Sequence, residues 1–234
     1  MSDKIKNFIQ NECSNWTKFE VIWLLLSTLV IIGISIKLRD NTMGIIASLC
    51  AIWYSLLAGK GKLSCYLFGI INTLLYGYIS YKHRLYGEVM LNWGWYLPMM
   101  FVGIFCWRKN LDKEQIIVKT DLSWFNRIVF LVATCCAIVA YTYILKTLKG
   151  SQPILDSATT ILSITAMILT VKRCIEQWIL WTIINILSIY MWLKVYLTVG
   201  NEVAILLMWI LSLINGIIFF VQWAKEVKKN EVAR

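Results

Sequence analysis

Apolar residues run along this chain in blocks of about 17 to 22 positions, separated by short polar stretches that hold most of the charge. A helix of that length crosses roughly 30 Å of hydrocarbon, so each block predicts a membrane-spanning α-helix. The blocks fall near residues 19–36, 42–58, 63–81, 89–107, 124–145, 154–171, 177–196 and 203–223. A transmembrane β-barrel would need short alternating segments, which do not occur. The first block follows a polar segment of mixed charge and is not followed by a small-residue cleavage site, so it is expected to be retained as a helix. The fold class expected is all-α: a polytopic integral membrane protein of about eight transmembrane helices.

Composition strengthens this picture. Of 234 residues, 59% are hydrophobic and only 15% charged, outside the balance of a water-soluble domain. The net charge of +10 could suggest a nucleic-acid partner. The basic residues, however, lie between the blocks and not along one soluble face, which fits topology better and leaves the bilayer as the partner. If the spans alternate, the N-terminus, the loops at Lys60/Lys62, Arg108 to Arg127 and Lys172/Arg173, and the tail with Lys225, Lys228, Lys229 and Arg234 share one side. That side holds about 16 of the 23 lysines and arginines and is expected to be cytoplasmic, with both termini there, in a bacterial-type inner (plasma) membrane. Trp16, Trp107, Trp124 and Trp223 fall at span ends and read as interfacial belt residues. The seven cysteines, Cys13, Cys50, Cys65, Cys106, Cys135, Cys136 and Cys174, are odd in number, form no CxxC pair and read mostly as small buried hydrophobes; no metal site, disulfide framework or cofactor is expected.

The chain also matches itself. At an offset of 113, Lys60 meets Arg173, Phe68 meets Trp181, Ile70–Ile71–Asn72 meet Ile183–Ile184–Asn185, and Gly87 meets Gly200. An offset nearer 116 brings Trp93 onto Trp209 and Trp107 onto Trp223. Spans two to four and six to eight therefore read as two copies of a three-helix unit, and the single span between them restores the orientation of the second copy. This 3+1+3 parallel repeat, preceded by one extra N-terminal helix, divides the chain into an N-terminal tail and first helix (1–41), a first bundle (42–110), a linker with the connecting helix (111–153), a second bundle (154–224) and a basic tail (225–234). Repeat architecture places a solute site at the interface of the copies, near the bilayer middle.

The polar residues within the spans point to the same place. Asn72 and Asn185 fall near span centres, where an unpartnered amide costs about 2–7 kcal/mol. Each can serve as interhelical glue or line a ligand site. Trp178, Trp181 and Asn185 stand at i, i+3 and i+7 and share one helical face; Phe68, Asn72 and Tyr76 form a similar stripe, and Trp209 with Asn215 a third. Tyr96 of the fourth span is counted with this lining. Aromatic walls with amides at their middle suit a flat ring joined to a hydroxylated sugar. No nucleophile, base and orienter come together, and the single histidine, His83, lies in a short loop, so an enzyme is not expected. Asp156, Glu88 and Glu202 sit at helix starts, where capping and the helix dipole account for acids; Glu88 and Glu202, near matched repeat positions, are candidate gates of the outer mouth.

The segment from Lys60 through GKLSCYLFGIINTLLYGYISYKHRLYGEVMLNWGWYLPMMFVGIFCWRKN to Asn110, together with the WxxWxxxN pattern of Trp178, Trp181 and Asn185, resembles the PnuC family of vitamin transporters. The resemblance runs from about Phe19 onward. It implies a SWEET-like fold and facilitated diffusion (uniport) of nicotinamide riboside for NAD biosynthesis, with phosphorylation by a cytoplasmic kinase trapping the product. It also implies contact of Trp178, Trp181 and Asn185 with the riboside, with Phe68, Asn72, Trp209 and Asn215 as further lining. One departure stands out: Met100 occupies a position after Pro98 where relatives that handle nicotinamide riboside carry glutamine, leaving room for another vitamin such as thiamine. A non-transporting membrane scaffold or sensor is the alternative from a different class, and a homo-oligomer is compatible with the sequence.

Overall fold

The computed structural model describes residues 12, 14, 16–83, 85–111, 116–147, 153–200 and 202–232. Cys13 and Arg234 lie outside these residues, and the side chains of Asp156 and Lys229 lie outside what is described. Among these residues eight helices of four or more residues follow in order: α1 (Lys18–Lys37), α2 (Thr42–Lys60), α3 (Cys65–Lys82), α4 (Tyr86–Val89, a π-helical stretch Met90–Tyr96, then Leu97–Arg108), α5 (Trp124–Thr147), α6 (Pro153–Val171), α7 (Gln177–Val199) and α8 (Val203–Val232). Six of them are long and apolar enough to cross a membrane on their own; α3 and the described part of α6 fall short.

Local chemistry sets the boundaries. Thr17 and Glu20 form a reciprocal capping box on α1, Asn41 caps α2 by accepting from the Met43 amide, and α2 and α7 stop at Gly61 and Gly200, both at φ 75°. In α4, Pro98 lacks the amide that would bond one turn back, and the wider π-helical turn lies just ahead of it. The Asn92 amide donates at 2.8 Å to the Glu88 carbonyl at the start of this turn. α8 continues without a break through the basic segment expected as a tail.

The helices α2, α3, α4, α6, α7 and α8 pack each on the next, and α8 closes back on α2 to form a ring. α1 lies against α2 and α8 outside it, and α5 against α6. The order is what two equivalent three-helix units produce: α4 meets α6 as α8 meets α2. The outer faces of α1 and α5 are apolar and exposed, with Ile22 at 63% and Phe125 at 72%, as a lipid-facing surface requires. Cys135 and Cys136 are on this exposed face of α5 and are not the buried residues expected.

The repeat register differs by one residue from the sequence match. Gly61 and Arg173 are the left-handed residues closing α2 and α6, and the turns after them carry the same hydrogen bonds: Lys62 N to Leu57 O and Cys174 N to Leu169 O, then Cys65 N to Lys62 O and Gln177 N to Cys174 O. These pairs lie 112 positions apart, so Asn185 is the counterpart of Thr73, and Asn72 that of Ile184. Pairing the two asparagines would set buried Thr73 against exposed Ile186; the register of 112 sets Thr73 on buried Asn185 and exposed Leu74 on exposed Ile186.

The match of Trp107 to Trp223 holds, but neither is a belt residue. Trp107 is 1% and Trp223 0% exposed, and each indole donates to a backbone carbonyl at the end of a helix in the other unit, Trp107 to Thr170 at 3.1 Å and Trp223 to Gly59 at 2.6 Å. Trp124, at 74% exposed, is free to play that part. Between the units the linker docks on both turns, Ile117 N donating to Gly61 O and Thr120 N to Arg173 O. At the same end Lys60 reaches Glu20 at 2.6 Å and Lys119 pairs with Glu226. Burial pushes the Lys119 ammonium below the ordinary lysine range while Glu226 pulls it back up.

Candidate functional site

Inside the ring lies a cavity of about 130 Å³ with walls from all six ring helices and none from α1 or α5. That is room for on the order of ten water molecules. Repeat-related positions line it in pairs: Ala51 with Ser163, Ser55 with Met167, Ala58 with Thr170, Thr73 with Asn185, Tyr76 with Ser188 and, in the third helices, Tyr96 with Ser212 and Met100 with Gly216. The backbone frame is thus close to twofold while its chemistry is not. A large or polar group on one side generally faces a small or apolar one on the other, so the two walls are chemically distinct.

The α7 stripe faces this space. Gln177, Trp178, Trp181, Ile184, Asn185 and Ser188 all line it, as residues on one side of a 3.6-residue helix must. Trp178 is wedged against Phe219 (5.5 Å between centroids) and Trp223 (5.6 Å), which fixes its plane. Its indole N–H and the Gln177 Nε2 are buried without a hydrogen-bond partner. Trp181 donates to the Thr170 hydroxyl at 3.1 Å and lies 6.0 Å from Tyr96. The Asn185 side chain, 3% exposed, makes no hydrogen bond to a described residue, and its Nδ2 lies near Gly216.

The other two asparagines are tied down. Asn72 lines the cavity but donates at 2.9 Å to the Ala47 carbonyl. Asn215 does not line it: fully buried, it accepts from Trp23 Nε1 at 2.7 Å and donates to Ser55 Oγ at 3.2 Å, joining α8 to α1 and α2. Phe68 is also absent from the lining, because it turns toward Trp53, 5.3 Å away, so the stripe expected through Asn72 and Tyr76 does not extend to it. Tyr76, Trp209 and Tyr96 do line the cavity. Tyr76 is held by Trp192, whose indole donates to its hydroxyl at 2.7 Å.

Glu88 and Glu202, expected as a matched pair, are separated. Glu88 lines the cavity with Tyr76 and Asn92. Glu202 lies outside it, 3.2 Å from His83 Nε2, while Asp40 accepts from the amides of Glu202 and Ala204 and so caps α8. Among the described residues no group of three or more His, Cys, Asp or Glu could hold a metal ion.

Tyr54, Ser55, Asn92, Ser163, Thr170, Gln177, Ser188 and Ser212 belong to the lining and are missing from the sequence reading. One signal could have found several of them: hydroxyl residues recur one turn from the indole and amide positions, and in the register of 112 Ser188 and Thr170 fall opposite Tyr76 and Ala58.

The family profile described as "Nicotinamide mononucleotide transporter" matches residues 41–225. The chain is 34% identical over 224 residues to a nicotinamide riboside transporter PnuC from Neisseria mucosa, covering 92% of this chain and 84% of that one. It is 33% identical over 226 residues to a PnuC from Haemophilus influenzae, covering 94% and 96%. Among solved structures it superposes on a crystal structure of the vitamin B3 transporter PnuC with a TM-score of 0.87 and 33% identity, covering 95% of this chain and 98% of the other. These relatives are transporters and not enzymes, and their fold carries the same ring of helices through nearly the full length of the chain; it is a multi-pass membrane protein that belongs to the PnuC family.

Proposed function

We propose that the chain carries nicotinamide riboside across the membrane by facilitated diffusion, through the cavity between its two three-helix units. The observation that carries this reading is the α7 wall, where two fixed indoles stand beside an amide, Asn185, that no described protein group satisfies. Gln177 to Ser188 spans about 16 Å along the helix, enough for a ring and a ribose end to end. The rings offer a stacking surface; Asn185, Gln177 and the hydroxyls of Ser163, Ser188 and Ser212 offer partners to a carboxamide and a sugar. A scaffold whose asparagines only join helices has no use for an open Asn185. The end where Lys60, Lys119 and Arg173 converge faces the cytoplasm, where phosphorylation of the arriving riboside keeps its gradient inward.

Proteoliposomes test this. Purified protein in vesicles holding only buffer takes up labelled riboside to equilibrium, saturably, without ion gradient or ATP. A flux no greater than in empty vesicles removes the proposal. Met100 favours a second reading. It stands in the cavity wall, and its thioether is a poor partner for a carboxamide, so a vitamin lacking that group, such as thiamine, is the competitor. Competition between the two for labelled uptake decides: the riboside reading requires that thiamine compete more weakly.

A further inference from the structure

Glu88 is the only acidic or basic residue among the described residues that line the cavity. No cation among the described residues pairs with its carboxylate. The described groups facing it are neutral. The Tyr76 hydroxyl faces the carboxylate, and because that hydroxyl already accepts from Trp192, its own proton is available to Glu88. Asn92 is anchored to the Glu88 carbonyl. Around them stand the rings of Tyr76, Trp209 and Tyr96, with Tyr76 and Trp209 6.0 Å apart edge to face.

A half-buried carboxylate in an aromatic-walled space, without a countercharge among the described residues, is stabilised when something positive joins it. Aromatic faces add to the attraction of a spread-out positive charge. Lysine or arginine placed there would fill that role permanently, and none of the described residues lining the cavity is either.

We propose that Glu88 is a specificity-determining residue whose carboxylate is the countercharge for a delocalised ring cation, so that the site selects its solute by ring charge as well as by shape. This rests on the carrier reading above and narrows its substrate class to N-substituted heteroaromatic cations, of which a pyridinium riboside is one. The neutral, reduced form of the same ring has nearly the same outline and is the form the site discriminates against.

The test uses purified full-length protein and two pairs of probes: nicotinamide riboside with its 1,4-dihydro form, and 1-methylnicotinamide with nicotinamide. Affinities are read from quenching of tryptophan fluorescence. A unit charge pair about 6 Å apart in a medium of effective dielectric about 20 is worth about a hundredfold in affinity; discounted for cavity water, the wild type binds each cation at least about tenfold more tightly than its neutral partner. Glu88→Gln keeps shape and hydrogen bonding but lowers the ratio to within about threefold by weakening the cation alone, and Glu88→Asp keeps the preference. An unchanged ratio in a Glu88→Gln variant that still binds the neutral probe overturns the proposal while leaving the carrier reading intact. A wild type that binds cation and neutral partner equally also overturns it, whatever becomes of the variants. Binding of the methylated cation without any riboside binding overturns the carrier reading and leaves Glu88 in its role. No binding of any probe overturns both.

Discussion

Asn185 and Asn215 can be told apart by one pair of substitutions of similar size. Asn215 is fully buried and makes two side-chain hydrogen bonds, from Trp23 at 2.7 Å and to Ser55 at 3.2 Å. Asn215→Leu removes both and leaves an indole N–H without its acceptor. Side-chain hydrogen bonds between membrane helices contribute about 0.6–1.7 kcal/mol each, so the loss is about 2 kcal/mol. In a protein of this length that corresponds to a fall in Tm of roughly 4–8 °C. Asn185 has no such bonds to lose, so Asn185→Leu shifts Tm by less than about 2 °C, but it removes the amide facing the cavity. The assay is thermal unfolding in detergent, with and without saturating riboside. Wild type gains stability from the ligand, as any group that binds only the folded state requires. Asn215→Leu starts lower and gains about as much; Asn185→Leu starts near wild type and gains little. If Asn185→Leu is as destabilised as Asn215→Leu and keeps its full response to ligand, the assignment of one to glue and the other to the site is wrong.

Two further outcomes follow from the packing. Lys60→Met leaves the buried Glu20 carboxylate without its 2.6 Å partner and costs about 3–5 kcal/mol, most of which returns in the double variant with Glu20→Gln; chemical denaturation in mixed micelles measures both. Gly59→Ala drives a methyl group into the ring of Phe219 at the α2–α8 seam and costs about 1–3 kcal/mol, whereas Gly33→Ala, with nothing within 4 Å, is neutral or stabilising by up to about 1 kcal/mol; a comparison of the two Tm values shows whether the seam is as tight as described.

Much of the cavity wall was legible because helices in lipid leave little freedom. A tryptophan, a tryptophan and an asparagine at i, i+3 and i+7 must share a face, and a polar face within a span must turn away from hydrocarbon, so Trp178, Trp181 and Asn185 could be brought together from spacing alone. Phe68 and Asn215 resisted the same logic. An aromatic ring is content on either side of a wall, and an asparagine is satisfied by a neighbouring helix as well as by a cavity; which occurs depends on whether Trp53, Trp23 and Ser55 happen to be within reach. Glu88 and Glu202 look alike in sequence, but only one has His83 beside it and only the other opens on the cavity.

The sequence by itself determined the all-helical membrane fold, the order of the eight described helices and most of their ends to within a few residues, because hydrocarbon thickness and backbone hydrogen bonding act locally on each segment. Tertiary structure alone decided the register of the repeat. One residue is about 100° around a helix, so a match that pairs Asn72 with Asn185 and one that pairs Thr73 with Asn185 score almost alike in letters but point different faces inward. Only the packing of six helices on one another, with Gly61 and Arg173 closing equivalent turns, selects between them.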